Sequence, residues 1–165
     1  MGLKNKWPPL GIALGAGKTD VARLLLEHGA DPNGQDDGGW SVLLEAVDKN
    51  ELEIVRLLLE KGADPNHKEP DGWTAVHMAA WSETPDALRL LLETEGCRTD
   101  MATDTLDTPL HEAARKGRTK NVELLLEKGA DINAKNAEGK TPLARAKEEG
   151  HEETAAVLRR HGGAE

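Results

Sequence analysis

Phenylalanine and tyrosine are absent from this 165-residue chain, and cysteine occurs once. Without those rings the core must be built from Leu, Val, Ile and Ala, which suits thin layers of packed helices. A single thiol excludes a disulfide framework within the chain. Cys97 stands where sister segments carry the Ala of GAD, so it reads as a small buried residue. No apolar run approaches the ~20 residues of a membrane span. The start, MGLKNK, has no apolar leader, and Lys6 occupies the place where a myristoylation signal wants Ser or Thr. A soluble, intracellular-type protein is therefore expected. A basic balance is missing too: 21 Lys and Arg face 30 Asp and Glu, a net charge of −9. Phosphate backbones need Lys and Arg, so nucleic acid is an unsuitable partner.

What the chain has is repetition. Residues 108–133 read TPLHEAARKGRTKNVELLLEKGADIN. Thr108 can cap a helix whose first turn holds Pro109, where a missing N–H costs nothing. Gly117 breaks the chain. Val122, Leu124, Leu125 and Leu126 form the apolar face of a second helix, and Gly129 is its left-handed stop. RLLLEHGADPN ends at Asn33, RLLLEKGADPN at Asn66 and ELLLEKGADIN at Asn133, with a fainter RLLLETEGCRTD ending at Asp100. The intervals are 33, 34 and 33 residues. The head segment TPLHEAARKG recurs in weaker form as WTAVHMAAW, WSVLLEAV and KTPLARAK.

This period and the TPLHEAA head resemble the ankyrin repeat, over essentially the whole chain. Five units follow, about 1–33, 34–66, 67–100, 101–133 and 134–165, as one domain. The resemblance implies an all-α solenoid of stacked antiparallel helix pairs with β-turn fingers. It also implies binding of other molecules, mostly proteins, by the fingertips and the inner face of the first helices. The implied role of His77 and His111, in the TPLH slot, is a hydrogen bond to the finger backbone. Three nearly identical LLLE(H/K)GAD copies are also what an engineered, consensus-derived chain would contain.

Several units depart from the pattern. GIALGAGKT in the first unit imitates a phosphate loop, but five residues separate Gly11 from Gly17 where four are needed, and no strand can precede it. Gly17 instead shares register with Gly117 and Gly150, between paired helices. In the third unit Pro85 begins the second helix, Glu83 stands at the glycine turn, and one extra residue falls near Glu95. In the fourth, Leu106 replaces the finger glycine, which predicts an irregular finger. The fifth carries Lys147, Glu148, Glu149, Glu152, Glu153, Arg159 and Arg160, the polar outer face of a terminal repeat.

The tryptophans are the unusual cargo. Trp7, Trp40 and Trp73 are spaced 33 and 33 apart, just before the helix-capping slot. In the resembled fold that place is the base of the finger and faces the groove. Trp81 follows Trp73 by two helical turns and shares the groove face. All four are predicted on one surface, with Trp7 either an end cap or a contact. Exposed Trp marks binding hot spots. Lys plus Arg less Asp plus Glu comes to +1, −5, −4, −1 and 0 across the five units. The acidity thus sits with the tryptophans. Asp36, Asp37, Glu69 and Asp71 are expected at fingertips, Asp48 on the groove side of a first helix, and Asp107 at the groove position that Trp fills elsewhere.

Catalysis has little to stand on. There is no HExxH and no CxxC, and neither His151 nor His161 has a Cys or carboxylate at zinc spacing. The expectation is a non-catalytic module without cofactor or metal. Its partner would be a protein with a basic, partly apolar surface; self-association through the tryptophans stays open. The alternative is a reader of methyl-lysine or a cationic peptide in a Trp and carboxylate pocket, as in some ankyrin domains. GQDDGGW at 34–40 resembles the finger of those readers, but Glu45 and Met78 stand where they use further tryptophans.

Overall fold

A computed structural model describes residues 6–165; the expectation about the extreme N-terminus falls on residues outside that range. The described chain forms ten helices in five antiparallel pairs. The first helices are α1 (Pro9–Gly15), α3 (Val42–Asp48), α5 (Ala75–Trp81), α7 (Pro109–Arg115) and α9 (Pro142–Glu148). The second helices are α2 (Thr19–Glu27), α4 (Leu52–Glu60), α6 (Asp86–Glu93), α8 (Thr119–Glu127) and α10 (Glu152–Arg160). Each first helix packs on the next, giving an inner layer; α2, α4 and α6 stack as an outer layer, as do α8 and α10. This is the all-helical solenoid that the period implies.

The start signals work as the sequence suggests. Ser41 and Thr141 accept the N–H of Leu44 and Ala144 at 3.2 Å each, and Pro9, Pro109 and Pro142 sit in the first turn of their helices. Helices this short cannot stand alone; packing holds them. Leu10, Leu44, Leu110 and Leu143 of the inner layer, and Leu26, Ile54, Leu88 and Leu158 of the outer, are fully buried. The core is aliphatic, as the missing rings require. Cys97 is half-buried, and burial raises its thiol to about 11.

One sequence expectation changes. The fourth finger is regular despite Leu106. Thr103 N–H donates to Asp107 O at 3.0 Å, and Leu106 N–H to Thr103 O at 2.9 Å. The second, third and fifth fingers make the same pair of bonds. Leu106 simply adopts φ +60°, beside +85°, +81° and +75° at Gly39, Gly72 and Gly139. The stack also ends asymmetrically. The fifth repeat is polar outside, whereas Ile12, Val21 and Leu24 of the first are 61%, 48% and 55% exposed.

Candidate functional site

The site begins at the capping slot. In the third repeat, His77 Nδ1 lies 3.2 Å from the Thr74 backbone N–H and Nε2 lies 3.1 Å from Asp107 O. A carbonyl only accepts, so Nε2 carries the proton and Nδ1 accepts; the imidazole is neutral. Burial lowers it to about 4 from an ordinary 6.5. His111 repeats the arrangement, with Nδ1 3.1 Å from the Thr108 N–H and Nε2 3.0 Å from Lys140 O. Its pKa is also lowered, mainly by burial. Each histidine therefore ties a first helix to the base of the following finger. That is a structural role, and it fixes where the finger-base residues stand.

Three carboxylates expected at fingertips or on the groove wall are spent inside the fingers. Asp36 is 8% exposed, and its Oδ1 accepts from Gly38 N–H at 2.8 Å and Trp40 N–H at 2.9 Å. Asp107 is 7% exposed and is held by Asn136 Nδ2 at 2.8 Å and Thr105 Oγ1 at 2.9 Å. Glu69 is 4% exposed, and its Oε1 accepts from Ser41 N–H at 3.1 Å, joining finger three to repeat two. For Asp36 and Glu69 the reason is that turns leave N–H groups inward, which a carboxylate on the same or the next finger satisfies; Asp107 instead accepts from side chains of its own finger and the next. Asp37, Asp48 and Asp71 stay exposed.

Three of the four tryptophans divide between two hollows. Trp7 and Trp40 line one of about 450 Å³ with Glu45, Asp36, Glu69, Gly38, Pro70 and Asp71. The Trp7 ring lies so close over Gly11 that a methyl there would meet it at 2.0 Å. Trp7 thus covers the first turn of α1 and walls the hollow at once. Trp40 Nε1 donates to Glu45 Oε2 at 3.2 Å, which fixes the indole. At the back, Glu69 Oε2 is buried with no hydrogen-bond partner, and burial raises this carboxyl above its ordinary range against the pull of the Ser41 N–H.

Trp81 lines the second hollow, about 280 Å³, with Val47, Asp48, Met78, Ser82, Glu83 and Arg118. It is the most open of the four indoles, 37% exposed. Trp73 lines neither hollow; it is partly covered and tilts against the His77 ring at 5.7 Å. Glu45 on one turn of α3 and Val47 with Asp48 on the next link the two hollows.

Charge at Trp81 differs from the sequence expectation. Lys116 Nζ stands 4.6 Å over the ring, and Arg118 reaches Glu83 at 3.5 Å. The fourth repeat thus supplies its own cations to this indole. No period announces them: Lys116 and Arg118 sit in the turn after α7, one repeat away. Glu45 and Pro70 were equally outside the predicted set, although Glu45 lies one helical turn past the Trp40 finger base. Among the described residues, no group of three or more His, Cys, Asp or Glu could hold a metal ion, and no helix is long and apolar enough to cross a membrane.

Comparison with known proteins agrees with this architecture. The sequence model described as "Ankyrin repeats (3 copies)" matches residues 1–69 and 63–136. Ankyrin repeat and SOCS box protein 11 of Danio rerio is 66% identical over 38 residues, 23% of this chain and 13% of that protein. Probable E3 ubiquitin-protein ligase XBOS33 of Oryza sativa subsp. japonica is 51% identical over 53 residues, 32% of this chain and 10% of its own. ARF GTPase-activating protein Git of Drosophila melanogaster is 46% identical over 55 residues, 33% and 8% respectively. The matched stretch spans about a tenth of each relative's length.

Proposed function

This chain belongs to the ankyrin-repeat family, whose repeats mediate protein–protein interaction, and from that premise we propose that it is a non-catalytic module gripping a partner protein with the inner wall of repeats two and three. The observation that carries this is Trp81. An indole left 37% exposed beside Val47 and Met78, with the Asp48 carboxylate at its rim, has the composition of an interface anchor. Trp40 and Trp7 extend the wall toward the fingers, where Asp37 and Asp71 stay in water. The partner it suits is apolar at its centre and basic around it, because repeats two and three carry nearly all the negative charge. Asp36 and Asp107 drop out as direct contacts, since their oxygens already hold the fingers, and Glu69 keeps only Oε2 for a ligand.

Display of short random peptides tests the reading and needs no named partner. Selection on the intact chain should enrich sequences combining Lys or Arg with bulky apolar residues. Trp81→Ala should weaken those peptides by on the order of 2 kcal/mol, about 30-fold, with the melting temperature little changed. Peptides that are acidic, or that bind Trp81→Ala equally well, would count against it.

A second reading is favoured by the Trp7–Trp40 hollow. Two indoles, Asp71, Glu45 and the unpaired Glu69 Oε2 suit a single alkylammonium group such as methyl-lysine. Glu45 and Met78 leave the cage short of rings. Titration with mono-, di- and trimethyl-lysine peptides separates the two readings. Saturable binding abolished by Trp40→Ala supports the reader, and no binding leaves the protein interface alone.

A further inference from the structure

The third and fourth repeats are joined differently from every other neighbouring pair. Elsewhere the outer loops are laced by one asparagine per repeat. Asn33 donates Nδ2–H to Gly62 O at 3.1 Å and accepts the Asp64 N–H at 2.8 Å. Asn66 does the same with Gly96 O and Arg98 N–H, at 2.8 and 2.9 Å. Asn133 does so with Gly162 O and Ala164 N–H, at 3.4 and 2.7 Å. In the third repeat the place belongs to Asp100. A carboxylate cannot donate to the carbonyl of Gly129, and Asp100 lies instead on Arg98 at 3.2 Å.

The outer helices part at the same junction. α4 packs on α6, and α8 on α10, but α6 and α8 scarcely meet. The residue of α8 in register with fully buried Ile54 of α4 is Asn121, a polar side chain at 1% exposure. It is occupied elsewhere. In the other four repeats the turn after the first helix returns two N–H groups to that helix, as Gly117 and Arg118 do to Ala114 and Ala113. The third repeat has Ser82, Glu83, Thr84 and Pro85 there; only the Ser82 N–H returns, to Met78 O and Ala79 O, and the rest of the α5 end is open. Asn121 Nδ2 covers it, 3.2, 2.9 and 3.0 Å from the carbonyls of Ala79, Ala80 and Ser82.

The inner side, by contrast, is shut. α5 and α7 pack closely, His77 reaches Asp107 O, and Asp104 N–H donates to Asp71 O at 3.1 Å. A Cβ on Gly72 would stand 2.9 Å from Thr103 Cα, so the fingers already touch. We propose that this junction is a built-in hinge: repeats one to three and repeats four and five turn about the α5–α7 and finger contacts, and the gap widens on the outer side. Splaying the outer helices tightens the inner wall. That motion closes the hollow of Trp81 and Met78 against Arg118 and Lys116, which come from opposite sides of the hinge. Curvature and the openness of the wall are therefore coupled.

Spin labels read the hinge directly. Arg56, Arg89 and Glu123 are exposed and hold equivalent places on α4, α6 and α8. With Cys97→Ala in place, one variant carries Arg56→Cys and Arg89→Cys, the other Arg89→Cys and Glu123→Cys. The second pair should give a distance distribution about twofold broader than the first. Adding Asp100→Asn, which offers Gly129 O and Asp131 N–H the missing rung, should narrow the second and leave the first unchanged. Equal widths, or a second width that Asp100→Asn does not alter, overturn the proposal.

Discussion

Burial determines how His77 answers acid. Its neutral ring donates to Asp107 O from inside the stack, and its pKa falls to about 4. A group whose folded pKa lies below its unfolded one contributes stability above the unfolded value, lost as pH falls through the folded one. The window for His77 therefore runs from about 6.5 down to about 4, and the loss is on the order of 3 kcal/mol. His111 adds to it in the same direction. Glu69, whose pKa is raised, works oppositely and only nearer the carboxylate range. Urea unfolding at pH 7 and pH 5 should show a clear drop, smaller in His77→Gln. Equal midpoints at both pH values would show that the ring is not held neutral. Leu106 gives a second residue-scale outcome. A leucine at φ +60° and 51% exposure bears about 1–2 kcal/mol of left-handed strain and gains little from packing. Leu106→Gly relieves it, against about 0.5–1 kcal/mol of added unfolded-chain entropy. A stability gain of up to about 1 kcal/mol should appear as a higher urea midpoint; a loss would mean that the side chain packs more than its exposure implies.

At the scale of elements, the end of α5 depends on a side chain some forty residues away. Removing the Asn121 amide leaves the Ala80 carbonyl without a donor, while Ala79 O keeps only the Ser82 N–H at 3.3 Å, which costs about 1–3 kcal/mol. Asn121→Ala should lower the unfolding free energy by that amount, whereas Lys120→Ala beside it, exposed to water, should be nearly neutral. Similar small effects from both would show that solvent caps α5 instead. The sequence reveals part of this. Pro85 and the missing glycine at Glu83 mark the turn as abnormal, and Thr108, Pro109 and Gly117 place the next helix pair directly. What Asn121 does was hidden, because its partners are carbonyls, which every residue has. The finger of Leu106 misled for a related reason. Its hydrogen bonds come from Thr103 and Asp107, and those were strong enough to impose a left-handed leucine.

For the whole molecule, the period made the fold readable and left the candidate binding wall only half readable. Spacing put Trp7 and Trp40 at one level of successive repeats, and they do share a hollow. Spacing also put Trp73 there, yet it leans on His77. Register finds the backbone position of a side chain but not the rotamer that neighbours impose. Charge counts per repeat likewise located the acidity, without distinguishing Asp36, turned inward, from Asp37, one residue on and in water. Lys116 over Trp81 adds a local cation that the count could not place. The proposed grip needs partly open indoles along repeats two and three to stand in a negative field. Paired fluorescence quenching by caesium and by iodide at matched ionic strength tests it most directly. Caesium should quench more steeply than iodide, and Trp40→Phe should remove part of the excess. Iodide quenching as steep as caesium, or indoles that neither ion reaches, would contradict the account.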